Sequence, residues 1–261
     1  MTKPRVYFRS FFDRLIISSS CLLCGQPSRR PLPLCQGCEQ DLPRPMASCC
    51  RCAEPFCWRN PTLRISVTAS GTLCGRCLKH PPAFDRTLCP LLYEFPVNWL
   101  IQNYKHHFDG CSFNILSELL LRHLQQHYGS RSPWPQLLIP VPLHPKRRFE
   151  RGFDQAAELV QRLGNALDLP VNTLSCKRRL DTPQQQGLDA KQRRRNLRHA
   201  FEVDADSLQL HSKISHVGLI DDVMTTGSTA QALSRKLKAA GVEQIDIWCL
   251  ARTPRERIKG I

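Results

Sequence analysis

Thirteen consecutive residues limit what this chain can fold into more than any others: Val217-Gly-Leu-Ile-Asp221-Asp222-Val-Met-Thr225-Thr226-Gly227-Ser228-Thr229. An apolar run leads into two acids, then a hydroxyl- and glycine-rich turn, then a helical pattern from Ala230 to Ala240. The order predicts strand, loop, helix. Backbone N–H groups at the helix start and the positive end of its dipole suit a phosphate. Gly227 lets the backbone approach closely, and the hydroxyls of Thr225, Thr226, Ser228 and Thr229 add donors. Ionised Asp221 and Asp222 only accept hydrogen bonds, which suits a sugar diol or a divalent cation.

The flanking segments extend the same architecture. Arg86 to Phe95, Leu137 to Pro142, Pro170 to Cys176 and Gln244 to Leu250 read as strands; Asn98 to His106, Asn114 to His127 and Asp154 to Leu167 read as helices. Strands alternating with helices predict an α/β fold with a parallel sheet and ligand loops at the strands' carboxyl ends. After the Leu137 strand comes a basic loop, 140–155, with Lys146, Arg147, Arg148 and Arg151 placed to neutralise a diphosphate. Residues 177–199 carry eight Lys/Arg against two Asp and read as a mobile basic lid or, alternatively, as a direct nucleic-acid contact. Lys105, His106 and His107 form a smaller basic cluster with no role assigned.

Ten of the fourteen cysteines precede residue 80, and eight of them make four CxxC pairs: Cys21/Cys24, Cys35/Cys38, Cys49/Cys52 and Cys74/Cys77. Two such pairs supply the four thiolates of a tetrahedral structural zinc site, so eight predict two zinc ions. Spacing leaves open whether the pairs combine sequentially or cross-braced. Cys50 and Cys57 are spare thiols; Cys89, Cys111, Cys176 and Cys249 read as buried hydrophobes. A module this small draws its folding energy from metal, on the order of 10–16 kcal/mol per ion. His80-Pro81-Pro82 then marks a boundary between a metal-binding module, residues 1–82, and a second domain, residues 83–261.

Residues 5–17 read as a basic amphipathic helix that packs on its own protein. No apolar run is long enough to span a bilayer and no signal peptide is evident, so the clustered thiols point to a reducing cytoplasm. The formal charge of +15, from 37 basic and 22 acidic residues, favours polyanionic partners.

The stretch from Val217 to Thr229 is similar to the PRPP-binding motif of type I phosphoribosyltransferases, with Gly218 standing where that motif usually carries an aliphatic residue. Together with the CxxC pairs and the segment Val141-Pro-Leu-His-Pro-Lys146-Arg147-Arg148, followed by Arg151-Gly-Phe-Asp-Gln155, the chain resembles the ComF family of ComFC- and GntX-type proteins. The resemblance implies a type I phosphoribosyltransferase-like parallel sheet behind an N-terminal double zinc-ribbon or knuckle module. It implies that Asp221 and Asp222 hold the ribose hydroxyls of PRPP, that Thr225, Thr226, Gly227, Ser228 and Thr229 hold its 5′-phosphate, and that Mg2+ accompanies the pyrophosphate. The biology it implies is uptake or use of external DNA, with single-stranded DNA and uptake-machinery proteins as partners. The alternative is an active phosphoribosyltransferase with an unidentified acceptor. No segment reads a nucleobase and no general base is evident, so catalytic residues are unassigned.

Overall fold

The computed structural model describes residues 20–56, 71–107, 109–129, 132–179, 200–208 and 214–255. The expected amphipathic helix over 5–17, Cys57 and most of the expected lid (180–199) lie outside the described residues. The chain divides into two compact units, Met1–Leu42 and Pro43–Ile261.

In the first unit, Cys21 to Gln26 forms a tight knuckle. The N–H groups of Cys21 and Gly25 donate to Gln26 and Cys21 carbonyls, and Gly25 takes φ +75°. Helix α1 (Gln36–Gln40) follows, with Cys35 as its N-cap. The second unit opens on the same device. Ser48 bridges Pro55 as Ser20 bridges Pro27, and Cys49 and Ala53 donate to the carbonyls of Glu54 and Cys49. Ala53 holds the left-handed position (φ +53°) that Gly25 fills in the first knuckle. Helix α2 (Gly75–Lys79) again begins just after a cysteine, Cys74.

The rest of the second unit is a parallel α/β sheet. Strands β1 (Arg86–Leu88) and β2 (Leu91–Leu92) both pair with β7 (Gln244–Arg252), and β7 pairs with β6 (His216–Met224), which pairs with β3 (Leu137–Pro140). All these pairings are parallel. The expected strand over 86–95 is split because Cys89 and Pro90 interrupt it, and proline has no N–H for a ladder. The strand expected over 170–176 reduces to a bridge from Val171 to Leu138, and a separate antiparallel pair, β4 (Cys176–Arg178) with β5 (Phe201–Val203), follows it, before the short helix α7 (Ala205–Leu208).

Period-two alternation sorts the central strands' side chains onto two faces. Val217 and Leu219 of β6 and Ile245, Ile247 and Cys249 of β7 pack with Leu233 and Leu237 of α8 (Ser228–Ala239). Cys49, Cys52 and Cys77 belong to this same core, so the second knuckle is built into the sheet domain. The opposite face carries α3 (Val97–His107), α4 (Gly110–Tyr128) and α6 (Gln155–Leu167). There Asp246 is fully buried in mid-strand and accepts from Tyr128 Oη at 2.6 Å, with His216 Nε2 at 2.9 Å and Arg86 Nε at 3.3 Å. Burial pushes this carboxyl up, but the bonds from His216 and Tyr128 and the Arg86 charge outweigh it and hold it below the usual range.

Gly218 leaves β6 unbroken. A Cβ there would meet Leu138 Cδ2 at 2.7 Å, so the glycine gives β3 room beside a nine-residue strand paired on both sides. Cys111, expected in the core, is exposed, because Asp109 caps α4 and puts it in the first turn.

Candidate functional site

Asp221 and Asp222 stand where β6 runs past the end of β3, whose last residue, Pro140, pairs with Ile220. Beyond that point β6 pairs, among the described residues, with β7 alone, at the carboxyl edge where open parallel sheets take ligands. Asp222 N–H donates to Asp221 Oδ1 at 2.9 Å. Burial, then the Asp222 charge, push the Asp221 carboxyl up to about 7, opposed by Lys105. Two acids this close cannot both ionise cheaply without a counter-charge.

Lys105 supplies part of it. From the last turn of α3, its Nζ lies 2.7 Å from Asp222 Oδ2. The lysine is anchored from behind: its carbonyl accepts from Gln155 Nε2 at 3.3 Å, and Gln155 Oε1 accepts from Arg151 Nη1 at 3.0 Å. Tyr104 Oη donates to the Gln155 carbonyl at 2.8 Å. A polar chain therefore runs from Arg151 through Gln155 and Lys105 to Asp222. The basic segment is a helix, α5 (Pro145–Arg151), rather than an open loop. His144 accepts the Lys146 N–H at its start, and Gly152 in the left-handed region ends it. Lys146 is exposed on it, while Arg147 and Arg151 are half-buried.

After β6 the chain turns at Gly227, whose φ of +74° is cheap only for glycine. No side chain caps α8, the Thr226 and Ser228 hydroxyls lie 2.8 Å apart, and Ser228 N–H donates to Thr226 Oγ1. These are the elements of an anion cradle. Its first residues are clipped from behind by Arg252, the last residue of β7, whose side chain is 1% exposed. Arg252 Nη1 donates to the carbonyls of Met224 (3.0 Å) and Thr225, Nε to the carbonyl of Cys52 (3.0 Å), and Nη2 to Glu54. Arg255 Nη2 lies 3.7 Å from Cys52 Sγ. One buried guanidinium thus joins the loop to the second knuckle.

The cysteines group sequentially. Cys21, Cys24, Cys35 and Cys38 converge in the first unit and Cys49, Cys52, Cys74 and Cys77 in the second, each set with its sulfurs within 4.8 Å of one another. The Cys24–Cys35 and Cys52–Cys74 sulfurs are 3.7 Å apart, close to the edge of a tetrahedron with metal–sulfur bonds of about 2.3 Å. Both groups can hold a metal ion. Cys50 is exposed and outside the second set.

Comparison with known proteins places this geometry. Competence protein F of Haemophilus influenzae is 33% identical over 220 residues, covering 84% of this chain and 90% of that protein. The chain belongs to the ComF family. Another ComF-family relative, DNA utilization protein YhgH of Escherichia coli K12, is 32% identical over 247 residues, covering 92% of this chain and 99% of the relative. That of Salmonella typhi is 31% identical over 241 residues. No family model matches. Among solved structures, the allosteric regulatory enzyme of purine biosynthesis gives a TM-score of 0.37 at 13% identity, over 57% of this chain and 30% of that one. A purine phosphoribosyltransferase from Pyrococcus horikoshii gives 0.32 at 14% identity, over 64% and 88%.

Asp221, Asp222 and Thr225 to Thr229 share one strand–loop–helix, Lys146, Arg147 and Arg151 share α5, and eight of the cysteines form the two four-thiol groups. Lys105 and Arg252 were missed. Lys105 had a weak signal, a basic cluster before a turn. Arg252 had none, because four of its partners come from two distant parts of the chain, residues 52–54 and 224–225.

Proposed function

We propose that this ComF-family chain binds PRPP and single-stranded DNA in the cytoplasm, in the uptake or processing of external DNA. The observation that carries the PRPP half is the pairing of Asp221 and Asp222 with the uncapped Gly227–Ser228 helix start on one continuous strand–loop–helix. Thr225, Thr226, Gly227, Ser228 and Thr229 take the 5′-phosphate, and Asp221 and Asp222 accept the ribose hydroxyls. Lys146, Arg147 and Arg151 face the pyrophosphate, with Mg2+ neutralising its remaining charge. Asp222 pairs with Lys105 at 2.7 Å, whereas Asp221, pushed up to about 7, accepts a hydroxyl most strongly once it has lost its proton. Calorimetric titration with PRPP–Mg2+ tests this: Asp221→Asn/Asp222→Asn abolishes binding, and unchanged affinity refutes the assignment.

The printed names of the relatives, a competence protein and DNA utilization proteins, support the DNA half, together with the +15 charge. Binding to a labelled oligonucleotide that falls steeply with salt is expected; no binding at low salt refutes it. Transfer of phosphoribosyl to an acceptor is the alternative, read as pyrophosphate release across a panel of acceptors.

Zn2+ is the ion we assign to both four-cysteine groups, since four thiolates at tetrahedral spacing leave no open position and suit a structural role. By ligand chemistry the division lies at 82/83, with the thiolates in residues 1–82 and the PRPP machinery in 83–261. Among the described residues no helix is long and apolar enough to cross a membrane. Cysteines kept as thiolates for metal suit the cytoplasm.

A further inference from the structure

Beside the phosphate loop, within the second unit, lies a cavity of about 550 Å³ that shares Thr226, Gly227 and Ser228 with the PRPP reading and otherwise lies outside it. It is lined by Arg76 and Cys77 of α2, by His80, Pro81, Pro82 and Phe84 after it, and by one face of α8 with Arg235 and Lys236. Thr226, Gly227 and Ser228 close one end, and Arg255 lines it beside Cys52. No carboxylate lines it, and neither Asp221 nor Asp222 does. It therefore offers a sugar diol no carboxylate, while Arg76, Arg235, Lys236 and Arg255 set positive charge around it, Arg255 already paired with Glu54 at 3.2 Å.

Arg235 and Lys236 sharpen the point. Lys238, two residues on, is paired with Asp85 at 3.0 Å. Arg235 and Lys236 are exposed and have no acidic partner among the described residues. Cations near a helix C-terminus do complement its dipole, but that requires no groove and no matching charge from α2. Ser228 and Arg235 stand seven residues apart on one helix, roughly 10 Å along its axis, too far for one phosphate to span. The ligand is thus an extended polyanion. A concavity of this volume excludes a base-paired cylinder yet admits a few splayed nucleotides, whose flat faces suit Pro81, Pro82 and the guanidinium planes.

We propose that this groove, between α2 of the second knuckle and α8, is a binding site for single-stranded nucleic acid. The phosphates run past Arg76, Arg235, Lys236 and Arg255 toward the loop at Thr226–Ser228. The proposal rests on the DNA half of the function above and gives that half a location. It also gives the second four-cysteine group a role beyond stability, because Cys77 and Arg76 share the helix that carries one side of the groove.

The test is fluorescence anisotropy of the full-length, zinc-loaded protein with a labelled oligothymidylate of about a dozen nucleotides, across a salt series. Arg235→Gln/Lys236→Gln is compared with Arg44→Gln/Arg162→Gln, which removes two exposed cations elsewhere on the same unit. Zinc content and far-ultraviolet circular dichroism verify that each variant is folded. The groove variant is expected to bind roughly tenfold or more weakly at low salt, and its log–log salt slope to fall by about 1.4, two single-strand phosphate contacts. The control pair is expected to keep the wild-type slope. Equal losses in both variants, or none in the groove variant, overturn the groove while leaving DNA binding standing. If the wild-type protein itself binds no oligonucleotide, the DNA half of the proposed function fails with it.

Discussion

Asp221 ionises against its surroundings: its folded-state value of about 7 lies above the ordinary carboxylate value of 3.8. Between those limits the folded chain holds a proton that the unfolded chain releases, so stability falls as pH rises from about 4 to 7. Asp221→Asn is therefore expected to raise the thermal midpoint at pH 8, by roughly 2–4 °C per kcal/mol recovered, with the gain disappearing near pH 4. Differential scanning at the two pH values reads this. In the proposed PRPP site the ionised form accepts the ribose hydroxyl more strongly, so PRPP–Mg2+ affinity should strengthen as pH rises through 7. Lys105→Met removes the charge that opposes the Asp222 repulsion, so the midpoint of that affinity profile should move upward; an unmoved midpoint would show that the 2.7 Å ion pair does not set it.

At the scale of elements, two buried polar knots fasten helices and loops to the sheet. Asp246 ties α4 to β7 and β6 through Tyr128 and His216, on a face otherwise packed with Trp248 and Leu120. Removing the carboxylate leaves Tyr128 Oη and Arg86 without their acceptor, so Asp246→Ala should cost about 3–5 kcal/mol in urea unfolding. Its depressed titration adds a pH signature. The stability it contributes is present above about pH 4 and is lost as pH falls through its lower folded-state value. Arg252 is the second knot. Arg252→Gln keeps some donors but cannot reach Cys52, Glu54 and the two loop carbonyls together. Amide protection of Met224 to Ser228 is expected to fall along with PRPP affinity, while β6 and β7 keep their protection.

For the whole molecule, the two metal groups serve different cores. Cys49, Cys52 and Cys77 pack with Leu219, Ile247 and Leu233, so Cys74→Ser should lower the unfolding temperature of the sheet domain itself. Cys24→Ser should be read by loss of structure within residues 20–42, where Leu34 and Leu42 form the small buried set around the first group. Native mass spectrometry should find one zinc fewer in each variant. Much of this organisation was legible in the chain. The CxxC spacing announced two four-thiol groups, because a tetrahedral ion needs two such turns, and the order of apolar run, acids, hydroxyls and helix announced the strand, turn and helix at 216–239, because each part acts within a few residues. Composition announced a polyanion-seeking charge. The pairing of knuckles, the break at Pro90, the helix where a loop was expected at Pro145 and the reach of Lys105 into the acid pair came only with packing. Sequence patterns report what neighbours along the chain do to one another. Arg252, holding Cys52 from 200 residues away, and the groove between α2 and α8 exist only because the sheet brings those segments together, and contacts of that kind leave no local period or spacing to read.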